Sequence, residues 1–196
     1  VEAASPRTRE FSIATHCILV FVAVDENGSS TAVPTWSPST DLERAAQASA
    51  EQRIALRRTI REAMHAQHYT DEGTAPRTVF RFLASPTAVN WGGNAHGGTV
   101  MRWIDEAAFA CAAGWSSEHA VAVYSGGIQF ARPVAIGDLV EVEARLIHTG
   151  ERSMHIAVHV RAGSPRDPSG LSLTTTCMSV FVDRGAAGRG EPARAL

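Results

Sequence analysis

Residues 97–112 are almost entirely apolar, and this segment restricts the possible folds more than any other part of the chain. Its alanines favour a helix, and the pair Gly97-Gly98 marks the start of that helix. A helix with so few polar side chains is stable only when neighbouring elements bury it. The rest of the chain is therefore expected to supply a surface that covers this one helix.

One carboxylate interrupts the apolar segment. Asp105 stands near its middle, and on a helix it shares a face with the residues three and four positions away, which are Met101, Ala108, Phe109 and Ala112. Arg102 and Glu106 are predicted to pair on a different face, turned to solvent. Apolar surroundings disfavour a charged carboxylate, which would suit Asp105 to act as a base near neutral pH. A plain surface position, or an ion pair with another element, is the alternative.

The composition argues against several classes of partner. The chain has 196 residues, 44% of them hydrophobic and 19% charged, with a formal net charge of -2. These values predict a packed domain and make nucleic acid or an anionic membrane a poor choice of partner. No apolar run approaches the roughly 18 residues that span a bilayer. The first ten residues do not resemble a signal peptide.

Three cysteines are far apart in the sequence: Cys17, Cys111 and Cys177. They form neither a CxxC pair nor a zinc-ligand spacing, so no metal is expected. Their small, odd number indicates a reducing compartment, and hence a cytoplasmic protein. Cys111 lies in the apolar helix, where a buried thiol is a simpler interpretation than a nucleophile.

Two segments of the chain resemble each other. Residues 15–22 (THCILVFV) are similar to residues 175–182 (TTCMSVFV), and both have the Val and Phe content of strands. Chance is one explanation; the other is that residues 1–35 are the C-terminal strand remnant of an upstream copy of the unit that follows. Residues 36–73 are predicted to be a connecting helix and linker, with an N-cap among Ser39, Thr40 and Asp41. Their arginines are interpreted as solvated surface rather than as a phosphate site.

From residue 74 onward the pattern predicts one strand, one helix and four more strands. The strands are expected at 78–84, 121–130, 139–148, 153–161 and 171–182, and the helix at 98–115. Two strands alternate apolar and polar residues, so that each has one buried and one wet face. The predicted fold class is α+β, an antiparallel sheet wrapped around a long central helix. The domain would occupy residues 74–185, followed by a flexible tail at 186–196.

The order of motifs in this region resembles the hot-dog-fold acyl-CoA thioesterases, double-hot-dog members included. The motifs are Asn90-Trp91-Gly92-Gly93-Asn94-Ala95-His96-Gly97-Gly98 before the helix with Asp105, then Phe130-Ala131-Arg132-Pro133, Gly137-Asp138-Leu139 and Thr149-Gly150-Glu151-Arg152-Ser153. The resemblance covers residues 75–183, one complete unit, with the first unit truncated. It implies the hot-dog fold and hydrolysis of acyl-CoA to fatty acid and CoA. It also implies a homo-oligomer, either a dimer of hot-dog units or a trimer of such dimers, with active sites across each pair.

The resemblance further implies that Asp105 and Asn90 are catalytic. Asp105 would be a general base for water or a nucleophile that forms an anhydride, while Asn90 would orient water, hold the thioester or only shape its loop. The N–H of Gly98, together with that of Gly97, would donate to the oxyanion at the helix start. Asp105 follows Gly98 by seven residues, about 10 Å along a helix axis. The base and the oxyanion donor of one site are therefore expected to come from different subunits.

Five further residues are candidates for substrate binding. His96 is expected to support the loop or the helix start, with proton transfer as the alternative. CoA is a long anion, so Thr149, Arg152 and Ser153 at a strand start, and Arg132, are candidates for contacts to it; a plain surface position is the alternative for each. CoA enters only as part of the substrate, and no cofactor is expected. An acyl-thioester dehydratase and a non-catalytic acyl-CoA-binding protein remain open as alternative functions.

Overall fold

The structure is a computed structural model, and it describes residues 1–69, 72 and 74–185. The chain divides into two compact units, residues 1–50 and a second unit that begins at Glu51. The tail predicted at 186–196 lies outside the described residues.

The first unit contains little regular structure. Strands β1 (Glu2–Ala4) and β2 (Phe11–Ile13) form a short antiparallel hairpin. The strand predicted at residues 15–22 is wrong for this structure: these residues, all of them described, lie in no helix or strand, and their large apolar side chains are exposed. A strand needs backbone partners, and within the described part of the chain residues 16–22 have none.

Helix α1 (Asp41–Ala66) begins with a reciprocal capping box. The Glu43 carboxylate accepts bonds from the Ser39 N–H (2.7 Å), the Ser39 hydroxyl (2.8 Å) and the Thr40 N–H (2.9 Å). In return, the Thr40 hydroxyl accepts a bond from the Glu43 N–H at 3.2 Å, so Thr40 is the N-cap. The bonds from Ser39, and those from Thr40, lower the pKa of Glu43 to about 2. No described residue of α1 is buried, as expected for a connecting helix.

The second unit is built on a sheet of five antiparallel strands. They are β3 (Arg77–Leu83), β4 (Ala120–Phe130), β5 (Leu139–Thr149), β6 (Met154–Gly163) and β7 (Ser172–Asp183), in the order β3-β5-β6-β7-β4. The bounds of these strands differ from the predicted ones by no more than two residues. The predicted α+β class, with an antiparallel sheet, is confirmed.

Helix α2 (Gly97–Trp115) packs on one face of this sheet and contacts all five strands. Its buried side chains are Val100, Trp103, Ile104, Ala107, Ala108, Cys111 and Ala112. They meet a sheet face that includes Val140, Val142, Leu146, Ile156, Val158 and Val160. Each fully buried Val or Ile contributes about 1.5–3 kcal/mol, which fixes the helix firmly. Among the described residues, no helix has the length and hydropathy needed to cross a bilayer.

The face of the sheet opposite α2 is more buried than the alternating pattern predicts. Glu141 and Glu143 of β5 are buried, and arginines from neighbouring strands neutralise them. Glu143 accepts a bond from Arg161 at 2.9 Å, and Arg81 donates to Glu141 at 2.6 Å. Burial alone would raise the pKa of Glu143, but its bonds to Arg161 and Arg145 outweigh that effect and lower it. The period-two pattern thus assigns the faces correctly and misses the ion pairs that make burial possible.

Candidate active site

The loop that leads into α2 is shaped by Asn90. Its side-chain oxygen accepts bonds from the N–H groups of Gly92 (2.8 Å) and Asn94 (3.0 Å). The Asn90 N–H donates to the Asn94 carbonyl at 2.7 Å, and Gly93 takes the positive φ of 78° that closes the turn. The loop-shaping role is therefore present in the structure. It occupies the amide oxygen, so the Asn90 side chain faces a ligand as a donor rather than as an acceptor.

His96 is the N-cap of α2. Its Nδ1 accepts a bond from the Gly98 N–H at 3.0 Å, which requires the neutral imidazole with its proton on Nε2. The expected support of the helix start by His96 is thus present. The same bond occupies the Gly98 N–H in this structure, and the role of Gly98 as an oxyanion donor stays a prediction. Among the described residues, no protein group accepts a bond from the Gly97 N–H.

The glycine pair is closely packed on both sides. A Cβ at Gly97 would lie 3.6 Å from the ring of Phe130, the last residue of β4. A Cβ at Gly98 would lie 3.1 Å from Nδ1 of His96, so any side chain there would press on the cap. The start of α2 therefore lies against the far end of β4.

Asp105 is exposed in the single chain, which corrects the expectation of apolar surroundings. Ala108 and Ala112, two of its predicted neighbours, lie in the core, while Phe109 is 40% exposed beside it. Helix spacing gives the neighbours of Asp105 correctly, but only the position of the sheet decides which of them are covered. The predicted Arg102–Glu106 pair is confirmed, with 3.7 Å between its atoms.

Helix α2 contacts β7. Burial raises the pKa of the Cys177 thiol on β7 to about 11, and the negative charge of Asp105 adds to that rise. Cys111 lies within α2, and burial raises the pKa of its thiol to about 11. The interpretation of Cys111 as a buried thiol is confirmed.

The candidate substrate-binding residues fall at opposite ends of the sheet. Phe130 pairs with Thr175 of β7, whereas Met154 pairs with Phe181, six residues further along the same strand. Six residues of strand span about 20 Å. Within one chain, the structure therefore separates Arg132, which follows β4, from the turn that holds Thr149, Arg152 and Ser153.

A cavity of about 290 Å³ lies on the face of the sheet that is remote from α2, and it contains none of the predicted site residues. Its lining includes His65, Tyr69, Arg145, His159 and Thr176. Burial lowers the pKa of His159, and the Arg161 cation adds to this effect. This cavity has no signal in the sequence, because its walls come from α1 and three different strands. No cluster of three or more possible metal ligands occurs among the described residues.

Known proteins match the region that contains this site. Residues 92–169 match the model of the thioesterase superfamily. An uncharacterized acyl-CoA thioester hydrolase of Zymomonas mobilis is 36% identical over 84 residues, which are 43% of this chain and 56% of that protein. The chain thus spans little more than half the length of that relative.

Two solved structures share the fold. The hexameric thioesterase y2039 of Yersinia pestis superposes with a TM-score of 0.55 and 27% identity, over 65% of this chain and 100% of that chain. Cj0915 of Campylobacter jejuni, a hexameric hotdog fold thioesterase, superposes with a TM-score of 0.55 and 24% identity, over 64% of this chain and 93% of that one. The sheet and the central helix of residues 77–183 thus have the hot-dog fold, and residues 92–169 are similar to the thioesterase superfamily.

Proposed function

We propose that this protein hydrolyses acyl-CoA thioesters to a carboxylic acid and CoA. The observation that carries the proposal is that one helix has both a Gly97 N–H without a protein acceptor among the described residues and an exposed carboxylate at Asp105. The resemblance to a relative named as an acyl-CoA thioester hydrolase supports the same reaction. Hydrolysis needs both a donor for the developing oxyanion and a base for water.

The oxyanion donors lie at the start of α2, where the helix dipole also favours negative charge. The Gly97 N–H is the first donor, because His96 occupies the N–H of Gly98. Gly98 becomes a second donor when the His96 ring turns away. The amide of Asn90 supplies a further donor for the water or the thioester. His96, held through Nδ1, serves the helix start, which disfavours the dehydratase alternative with its His proton carrier.

Asp105 is the base in this scheme. It takes a proton from water as the water oxygen bonds to the thioester carbonyl carbon. The tetrahedral intermediate then breaks its C–S bond, and the CoA sulfur leaves with a proton. Attack by the Asp105 carboxylate itself, followed by hydrolysis of an anhydride, is the other route open to the same residue. Because about 10 Å along the helix axis separates Asp105 from the helix start, the two halves of one site would come from different subunits.

A second copy of the chain would pair along β4. This edge strand, AVAVYSGGIQF, carries no charge, and it exposes Val123, Tyr124 and Phe130. An uncharged, apolar edge strand offers its backbone for pairing with another strand. The hexameric assembly of the Yersinia pestis thioesterase is consistent with a dimer of hot-dog units or a trimer of such dimers.

If two β4 strands paired in antiparallel fashion, the Ala120 end of one strand would lie beside the Phe130 end of the other. The turn with Thr149, Arg152 and Ser153 would then lie at the same end of the joined sheet as the helix start of the partner. Arg132 would contribute from the subunit that supplies the helix start. CoA, as a long anion, would contact both groups. This arrangement explains why one chain alone separates these candidates.

The test is release of free CoA from a series of acyl-CoAs, from acetyl to stearoyl, with Asp105→Asn and Glu106→Gln compared. Glu106 is the adjacent exposed carboxylate, paired with Arg102, and serves as the matched control. We expect Asp105→Asn to lower kcat by about 100- to 10,000-fold, and Glu106→Gln to leave it nearly unchanged. Full activity of Asp105→Asn would refute the assignment. Acyl-CoA binding without turnover by the wild-type protein would instead identify a non-catalytic binding protein.

A further inference from the structure

Thr175 on β7 carries a buried hydroxyl that has no hydrogen-bond partner within the described part of the chain. The residue is 1% exposed, and its Oγ1 is the buried side-chain atom without a hydrogen-bond partner among the described residues. An unsatisfied buried hydroxyl costs about 1–3 kcal/mol. Valine has the same shape without that cost. The retention of a hydroxyl at this position therefore needs an explanation outside the packing of the domain.

The neighbouring Thr174 shows what a structural hydroxyl looks like in the same strand. It is 2% exposed, and its hydroxyl donates to the Val160 carbonyl at 3.0 Å. The two threonines thus have equal burial and different partners. Thr174 stabilises the junction between β6 and β7, whereas Thr175 has no comparable role.

Thr175 faces α2 near the start of that helix. It lies directly opposite Val160 of β6, a core residue, and opposite Phe130 of β4. Residues that are directly paired across antiparallel strands point to the same face of the sheet, with Cβ atoms about 4.5–5.5 Å apart. The Phe130 ring also approaches Gly97, to within 3.6 Å of the position of a Cβ there. Thr175, Phe130 and Gly97 therefore form one continuous patch.

This patch contains two hydrogen-bond donors without a protein acceptor among the described residues. One is the Gly97 N–H, for which no protein acceptor exists among the described residues, and the other is the Thr175 hydroxyl. The next two donors in the first turn are occupied: the Gly98 N–H bonds to Nδ1 of His96, and the Thr99 N–H donates to the His96 carbonyl. Stabilisation of an oxyanion typically uses more than one donor aimed at the same oxygen.

We propose that the Thr175 hydroxyl binds the acyl-thioester and donates a hydrogen bond to its carbonyl oxygen beside the Gly97 N–H. The inference rests on the proposed function and adds a residue to it. Phe130 lies between the two donors and is 53% exposed on an edge strand. In this proposal, the Phe130 ring turns aside when the acyl-thioester binds, and the substrate then reaches the Thr175 hydroxyl.

The test compares Thr175→Val, Thr175→Ser and Thr174→Val in the full chain, with thermal unfolding and acyl-CoA hydrolysis measured for each. We expect Thr175→Val to lower kcat on the order of 100-fold with little change in KM, while its Tm stays equal or rises. Thr175→Ser keeps the hydroxyl, and we expect kcat within a few-fold of the wild type. Thr174→Val loses a structural bond, so its Tm should fall while its kcat per folded molecule is unchanged.

The outcomes separate the inference from the function on which it rests. Wild-type protein without hydrolase activity would overturn the proposed function. Active wild-type protein with an equally active Thr175→Val variant would overturn the inference alone. A fall in Tm for Thr175→Val with unchanged kcat would also overturn it, because the hydroxyl would then serve the fold, for example through an internal water.

Discussion

Residues 15–22 and 175–182 have closely similar sequences, but only residues 175–182 form a strand. They share Thr, Cys, Val, Phe and Val at the same five positions. Phe181 is 1% exposed in the centre of a sheet, whereas the corresponding Phe21 is 87% exposed in a segment without secondary structure. The difference shows that strand propensity alone does not form a strand here. Residues 175–182 have β6 and β4 on their two sides and α2 above them.

The largest expected effect is on the free energy of unfolding. Phe181→Ala removes a fully buried ring and should cost about 3–5 kcal/mol. Phe21→Ala removes an exposed ring and should change stability by no more than about 0.5 kcal/mol. Chemical denaturation of both variants measures the difference. A large cost for Phe21→Ala would show that residues 15–22 are packed in solution, and the comparison would then fail.

A second effect, the dependence of stability on pH, separates the buried Cys177 from the exposed Cys17. Burial raises the pKa of Cys177 from 9.0 to about 11, so its stabilising contribution is complete below pH 9 and is lost as the pH rises to 11. The loss is up to about 3 kcal/mol, because the unfolded thiol ionises first. Cys111 behaves alike, since burial also raises its pKa to about 11.

Denaturation at several pH values between neutral and alkaline tests this expectation. Cys177→Ala should reduce the alkaline loss of stability relative to the wild type. Cys17→Ala is the matched control, because Cys17 is exposed, and it should leave the pH profile unchanged. Equal slopes for the wild type and Cys177→Ala would mean that the thiol is not shielded from water.

The comparison also separates what the sequence can predict from what it cannot. The five strands and α2 were predictable, because hydrophobic periodicity and turn residues are local signals. Residues 15–22 were mispredicted, because the partners of a strand lie far away in the chain. The burial of Glu143 was missed for the same reason: Arg77 and Arg161 come from other strands.

The candidate site also has features that the sequence predicts and features that it does not. The loop of Asn90 and the cap by His96 involve contacts over two to four residues, and their positions before the helix were visible in the sequence. Because His96 caps the helix, its side chain occupies the Gly98 N–H. The spacing of the motif alone did not predict this bond. The Thr175 hydroxyl had no sequence signal, because two adjacent threonines look alike until their partners are known.

The smallest expected effect is a change in the pKa of Cys177 on β7 when Asp105, the proposed base, loses its charge. The charge of Asp105 contributes to the raised pKa of Cys177, as the last of several causes after burial. In a Cys17→Ala, Cys111→Ala background, Cys177 is the only thiol, and its ionisation can be followed by the ultraviolet absorbance of the thiolate. Asp105→Asn should lower the midpoint slightly, because the neutral amide no longer opposes a second negative charge.

Glu106→Gln is the control for this measurement, since Glu106 lies one residue further along α2 and pairs with Arg102. It should leave the midpoint of Cys177 where it is. A shift with Asp105→Asn alone places the carboxylate over β7, on the side of α2 from which it would meet a thioester held by a second subunit. If neither variant moves the midpoint, the Asp105 carboxylate is turned away from β7, and the expected effect of its charge on Cys177 is wrong.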